Sequence, residues 1–196
     1  VRQKLFVDEK RNAHCHELIL GGKELAAYQL RWAGRFINTQ AEVIDKSAGD
    51  YANLGRSQWH RARKIVVRRT GDRVIAAYDS AGYYVSNNMF VLTPGEDMAE
   101  RDCKALVAVL NSELMTWYFR AVQPRAGRLF AELKLVHLRD FPLPTPASWR
   151  RHVDELASLS ERASNESTSA LAAAIDALVE SAFEISPGER ELIKLA

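Results

Sequence analysis

The stretch from Lys64 to Leu92 limits the fold more than any other part of the chain. "KIVVRR" and "RVIAAYD" are rich in β-formers, and Thr70-Gly71-Asp72 stands between them, a short loop with glycine where a positive φ is expected. Ser80-Ala81-Gly82 punctuates a second time, and "YYVSNNMFVL" returns. The pattern predicts strand, turn, strand, turn, strand: an antiparallel meander.

That meander is crowded with like charge. Arg56, Arg61, Arg63, Lys64, Arg68, Arg69 and Arg73 face Asp72 alone between residues 56 and 73. Alternate strand residues share a face, so Ile65, Val67 and Arg69 point one way and Val66, Arg68 and Thr70 the other. One arginine of the adjacent pair, Arg69, is expected to bond an internal carboxylate such as Asp72 or Asp79. The rest of the hairpin is left for a polyanion, since a guanidinium fork matches two phosphate oxygens or the acceptor pair of guanine. An edge hairpin kept soluble by charge is the competing reading.

A second basic element follows, a loop with Arg120, Arg125 and Arg128, then Phe130 and Lys134. Gln123 and the Asn87-Asn88 pair are amides that can read an adenine edge, although Asn-Asn also suits a turn or bulge. The candidate contacts to nucleic acid, DNA or RNA, are therefore Arg61, Arg63, Lys64, Arg68, Arg69, Arg73, Asn87, Asn88, Gln123, Arg125, Arg128 and Lys134.

Around this centre the chain divides into a mixed N-terminal region and a helical end. "ELIL" and "RFINT" read as short strands, and "KELAAYQL" as two helical turns. "MAERDCKALVAVLNSELMTWYFR" is an amphipathic helix striped by Leu106, Val109, Leu110, Leu114, Trp117 and Tyr118. Pro142, Pro144 and Pro146 form a stiff connector. Beyond it Ser148 is expected to cap "WRRHVDELASLSERA". Leu171, Ile175, Leu178 and Ala182 stripe another helix, and "SPGE" at 186–189 is a capping box for a last one. The expected division is a recognition domain over 1–146 and a helical segment over 147–196, packed on it or on a partner domain.

The net charge of +2 hides a split: residues 1–153 carry 24 Lys+Arg against 16 Asp+Glu, and residues 154–196 carry 3 against 9. One end attracts phosphate; the other does not. Two cysteines, Cys15 and Cys103, make no disulfide framework, and no apolar run is long enough for a bilayer, so the chain reads as cytoplasmic. It opens without Met and reads as a stretch of a longer protein.

Catalytic signals are weak. "NAHCHEL" offers His14, Cys15 and His16 but no second ligand pair, so no metal site is expected. "AELK" supplies Glu132 and Lys134, half of a nuclease pattern with Asp102 upstream, yet Leu133 and Leu135 read as anchors onto the core. Walker, G-x-G-x-x-G and G-x-S-x-G patterns are absent, and no catalytic residue is assigned.

"RARKIVVRRTGDRVIAAYDSAGYYVSNNMFVL", "LVAVLNSELMTWYFR" and "LFAELKLVHLRDFPLP" resemble, in order, the signature blocks of the TaqI-like C-terminal specificity domain. That is the target recognition domain of adenine-specific DNA methyltransferases and fused restriction–modification enzymes. "LILGGKELAAYQL" resembles the segment that opens the domain, and "AAIDALVESAFEISPGERELI" is similar to a tail that often closes such proteins. The resemblance implies sequence-specific binding of double-stranded DNA by Lys64, Arg68, Arg69 and Arg73. It implies methyl transfer from S-adenosylmethionine on another domain or subunit, and a scaffold role for Asn111 and Ser112. The methylase motif with two adjacent prolines is absent, so no cofactor is expected on this chain. A specificity subunit of a multi-subunit restriction system is the variant reading. A protein-interaction domain with a merely solubilising basic face is the reading from another class.

Overall fold

The computed structural model describes residues 2–122, 132–166 and 168–195. A single helical turn, α1 (Arg2–Leu5), leads into the short strand β1 (Phe6–Val7), and β2 (Cys15–Ile19) follows a polar loop. Next come β3 (Leu25–Ala26), β4 (Gln29–Leu30) and β5 (Phe36–Asn38). A long loop reaches α2 (Ser57–Arg61), then β6 (Lys64–Arg68), β7 (Ala76–Asp79), β8 (Tyr84–Val85) and β9 (Met89–Leu92). Helices follow: α3 (Glu100–Asn111), α4 (Glu113–Val122), α5 (Leu135–Arg139), α6 (Pro146–Asn165), α7 (Ser169–Ala182) and α8 (Pro187–Leu195). The class is α+β, as the sequence pattern predicts.

β6 is the centre. It pairs antiparallel with β7 on one edge and β9 on the other, with Val67 opposite Ala76 and Phe90. Lys64 to Val67 are all buried, because β6 is covered on both faces. Ile65 and Val67 join Val74 and Ala76 in the larger core, against α3, α4, α6 and α7. Val66 and Ala77 join Ile19, Leu25 and Met89 in a second core under the N-terminal strands. Burying each such aliphatic side chain contributes about 1.5–3 kcal/mol, which places the most continuously apolar strand in the middle.

The three strands are antiparallel, but their order is β7-β6-β9 rather than that of a simple meander. After β7 the Asp79 carboxylate accepts the backbone N–H groups of Ala81, Gly82 and Tyr83, and this turn carries the chain out of the sheet. β8 then pairs in parallel with β2, completing a sheet of order β1-β5-β2-β8. Only after Asn87-Asn88 does the chain return as β9, on the free edge of β6.

"KELAAYQL" is a hairpin and not a helix. β3 and β4 pair antiparallel, Tyr28 at the turn has φ 67°, and its N–H reaches Ala76 O at 2.9 Å. Eight residues nucleate a helix poorly, and Leu25 gains complete burial in the strand form. The long amphipathic helix is likewise broken at Ser112, whose ψ of 157° ends α3 and whose hydroxyl accepts the Met115 N–H to start α4. Beside it the buried Asn111 amide accepts from Ala76 N and donates to Ala76 O and Val107 O, locking α3 to β7.

At the start of α6 the cap is Thr145, not Ser148: its hydroxyl accepts the Ser148 N–H, with Pro146 at the first helical position. Ser148 itself is buried and donates to Ala182 O at 2.7 Å, joining α6 to the end of α7. α6 and α7 share the larger core with α3 through Val153, Leu156, Ile175 and Val179. The "SPGE" box forms as the sequence predicts, with Ser186 and Glu189 bonding each other's backbone N–H.

Two outcomes follow from this packing. Asn111→Ala leaves the Ala76 N–H buried without a partner and its carbonyl with the Tyr28 N–H alone, and is expected to cost roughly 1–3 kcal/mol in a urea titration. Tyr84 is stacked between His60, at 4.4 Å, and His16, at 4.8 Å, and burial holds both imidazoles below the ordinary 6.5. A depressed imidazole makes the unfolded chain the better proton binder. Stability is therefore full above pH 6.5 and is lost as pH falls from there through the folded-state values. Thermal midpoints measured from pH 7.5 to pH 5 should decline, and His60→Gln should flatten the decline.

Candidate nucleic-acid interface

The register of β6 sorts its basic residues. Lys64, at the start, turns inward: its ammonium is fully buried, ion-paired with the equally buried Asp79 and hydrogen-bonded to His60 O. Burial pushes the Lys64 ammonium down, and Asp79 opposes that by favouring the charged form. Lys64 is not available to DNA, which corrects its assignment as a contact. A strand residue next to an apolar run faces the core whenever its face does, and here Lys64 shares the face of Val66.

Arg68 lies on that same face at the far end of the strand. It donates through Nη2 to Leu25 O and, at 2.8 Å, to Gly22 O, so it staples the turn that opens the β3–β4 hairpin. Among the described residues no carboxylate pairs with it, and burial pushes its guanidinium down. Arg69 points the other way. Its Nε and Nη2 both reach Glu132 Oε1 at 2.8 Å, its Nη1 donates to Asn87 O at 3.2 Å, and its plane lies over the Phe90 ring. The internal carboxylate expected for Arg69 exists, but it is Glu132; Asp79 is taken by Lys64 and Asp72 by Arg120.

Arg73 pairs with Glu113 at 2.8 Å, and Arg120 reaches Asp72 through both its carboxylate and its carbonyl. On the other flank Thr70 bridges Glu132, and the Leu133 N–H donates to Arg69 O at 2.8 Å. The hairpin tip thus clamps both sides of the segment 123–131: Arg120 just before it, and Glu132 and the buried Leu133 just after. Leu135, expected as a second anchor, is 47% exposed. Gln123, Arg125 and Arg128 lie on that segment, outside the described residues.

The turn before β9 reaches the same end of the sheet, since the Arg69 N–H donates to Asn88 O. Asn88 is a structural residue. Its amide donates to Leu20 O and bonds Ser86, and it sits so close to Gly21 that a Cβ there would fall 2.5 Å from Asn88 Nδ2. The positive φ of Gly21 and this approach both require glycine. Asn87 and Lys134 have exposed side chains beside Arg69 and Glu132. The structure therefore brings Arg68, Arg69, Arg73, Asn87 and Lys134 to the C-terminal end of β6. Arg61 and Arg63 are at the opposite end, where Arg63 donates to Met98 O and Arg61 is exposed.

Glu132 and Glu113 are what reading the residues one by one missed, and Asp72, expected to serve Arg69, serves Arg120 instead. They are the counter-charges of the hairpin, and nothing in their spacing announces it. The nuclease half-pattern dissolves for the same reason: Glu132 is bound to Arg69, while Asp102 accepts from Trp149 Nε1 and Ala99 N. Among the described residues no three His, Cys, Asp or Glu side chains converge as a metal site.

Lys64 and Arg73 give a direct test of this sorting. Lys64→Ala strands a buried carboxylate and should cost about 3–5 kcal/mol, whereas Arg73→Ala breaks only an exposed pair and should cost under about 1 kcal/mol, both read from urea midpoints.

A family model described as the TaqI-like C-terminal specificity domain matches residues 17–143, about two-thirds of the chain. The match runs from β2 past α5 and includes the whole β7-β6-β9 sheet, α3, α4 and residues 123–131. No curated protein gives a significant match.

Proposed function

The chain belongs to the family of TaqI-like C-terminal specificity domains, and from that premise we propose that it recognises double-stranded DNA in a sequence-specific way for a restriction–modification methyltransferase. In the finer form of this reading it positions a target adenine for methylation by another domain or subunit, which carries S-adenosylmethionine. The work is that of a bacterial defence system in the cytoplasm. Among the described residues no helix is long and apolar enough to cross a membrane.

The observation that carries the reading is the gathering of Arg69, Arg73, Asn87 and Lys134 around the two flanks of segment 123–131, with Arg68 on the other face of the same strand end; the segment itself bears Gln123, Arg125 and Arg128. A rigid hairpin whose contacts fix both flanks of a stretch rich in arginine and amide suits the way specificity is commonly presented: the scaffold fixes the register, phosphate contacts position the duplex, and a few side chains meet base edges. The exposed ion pairs suit this role, because a carboxylate partner holds each guanidinium in place until a phosphate replaces it. The sharp alternative, an interaction domain, needs no cations gathered at one end.

Fluorescence anisotropy with a mixed-sequence duplex tests the proposal. Affinity should fall linearly with log salt, with a slope of about −0.9 per phosphate contacted. Arg73→Ala should weaken all duplexes alike and lower the slope by about one contact, whereas Asn87→Ala should change which sequence is preferred. An affinity indifferent to salt would refute the DNA reading.

A further inference from the structure

At the N-terminal end of β6 the molecule has a trough that the arguments above do not use. Three clefts of about 280, 410 and 670 Å³ adjoin there. The first and second share His16 and Arg61 as walls, and the second and third share Leu54 and Tyr84, so the three lie side by side in a row. The row starts at Lys10, crosses Arg61, runs along the His16–Tyr84–His60 stack and ends at Ser86 and Asn87. Asn87 is where Arg69 donates, so the trough joins the end of the sheet assigned above to DNA recognition.

Its two smaller clefts are cationic and polar, whereas Leu5, Phe6, Leu18, Ile37 and Val85 make the largest mainly apolar, with Tyr84 buried between the two histidines. Lys10 and Arg61 are exposed, and among the described residues no carboxylate pairs with either, in contrast to Arg69, Arg73 and Arg120. Glu17 is the only carboxylate among the residues lining the three clefts. His14 and Ser57 add exposed polar groups near Arg61, and Tyr51 stands on the far rim with 82% of its surface exposed. Arg61 is held in place by its backbone: Gly82, at φ 79°, approaches so closely that a Cβ there would lie 3.0 Å from Arg61 O. An exposed guanidinium with no carboxylate partner among the described residues, set on a fixed stretch of backbone in an open groove, is suited to binding phosphate.

We propose that this trough is a second DNA contact, in which Arg61 and Lys10 bind the sugar–phosphate backbone of the same duplex and Tyr51 lies against its edge. The proposal rests on the DNA reading above and extends it. The two ends of β6 are about 13 Å apart at ~3.3 Å per residue, which is roughly four base-pair steps at ~3.4 Å each. A duplex tracking the trough therefore reaches past the hairpin end by about that much.

Anisotropy and hydroxyl-radical footprinting on one duplex, with the wild-type chain and the Arg61→Ala, Arg61→Lys and Arg101→Ala variants, test it. Arg101 is ion-paired with Asp154 on the helical side and serves as the surface control. Arg61→Ala should weaken binding roughly 5-fold, lower the salt slope by about one contact and expose about four positions at one edge of the footprint. Arg61→Lys should restore most of the slope, and Arg101→Ala should change nothing. All should share the wild-type thermal midpoint. If wild type binds with a steep salt slope and Arg61→Ala keeps both affinity and footprint, the trough is overturned and the DNA reading stands. If wild type fails to bind any duplex at low salt, the DNA reading falls and the trough with it.

Discussion

The Lys64–Asp79 ion pair is sealed from water, and the layout of the protein follows from it. Each partner is unacceptable alone: a buried ammonium or carboxylate without a counter-charge costs several kcal/mol. Together they fix the register of β6 against β7, since Lys64 stands opposite Asp79 in the pairing. A slip by one residue would bury one charge alone and turn Ile65 and Val67 to the wrong core. The same carboxylate then gathers three backbone N–H groups and sends the chain out of the sheet toward β2. One aspartate thus sets both the pairing of the hairpin and the departure that makes room for β9 on the other edge.

That arrangement explains why a strand with so many cations tolerates a place in the centre of a sheet. Its first charge is neutralised inside, and Arg68 at its end and Arg69 just beyond it leave in opposite directions. Arg68 finds carbonyls and Arg69 finds Glu132. Like charges on adjacent residues are separated by the pleat, so the repulsion the sequence suggests is largely removed by geometry. What remains at the tip is a set of exposed ion pairs, each worth about 0–1 kcal/mol. These do little for stability and much for position.

Much of this was legible beforehand. β2, β5, β6, β7 and β9 fall where β-branched residues cluster between turn signals, and the Ser186–Glu189 box starts α8 as its spacing predicts. The basic character of the hairpin was also plain. What sequence could not show was which cation meets which carboxylate: Arg69 and Glu132, Arg73 and Glu113, and Arg120 and Asp72 are joined only by the fold. For that reason Lys64 read as a contact when it is a core residue, and Asn88 as a reader when it braces Gly21. The hairpin at 25–30 was hidden too, because its pairing depends on the Tyr28 N–H reaching β7 and not on local propensity.

The distribution of partners among the arginines also bears on how a duplex would be bound. A guanidinium already paired with a carboxylate must exchange one anion for another, so its net gain on meeting phosphate is small and its geometry is well defined. An unpaired one, such as Arg61, gains the full attraction but is placed only by its backbone and its neighbours. Specificity needs the first kind and affinity the second. Arg61, unpaired with any carboxylate among the described residues, precedes β6, while the carboxylate-paired Arg69 and Arg73 follow it, so a change at either leaves the partners of the other in place.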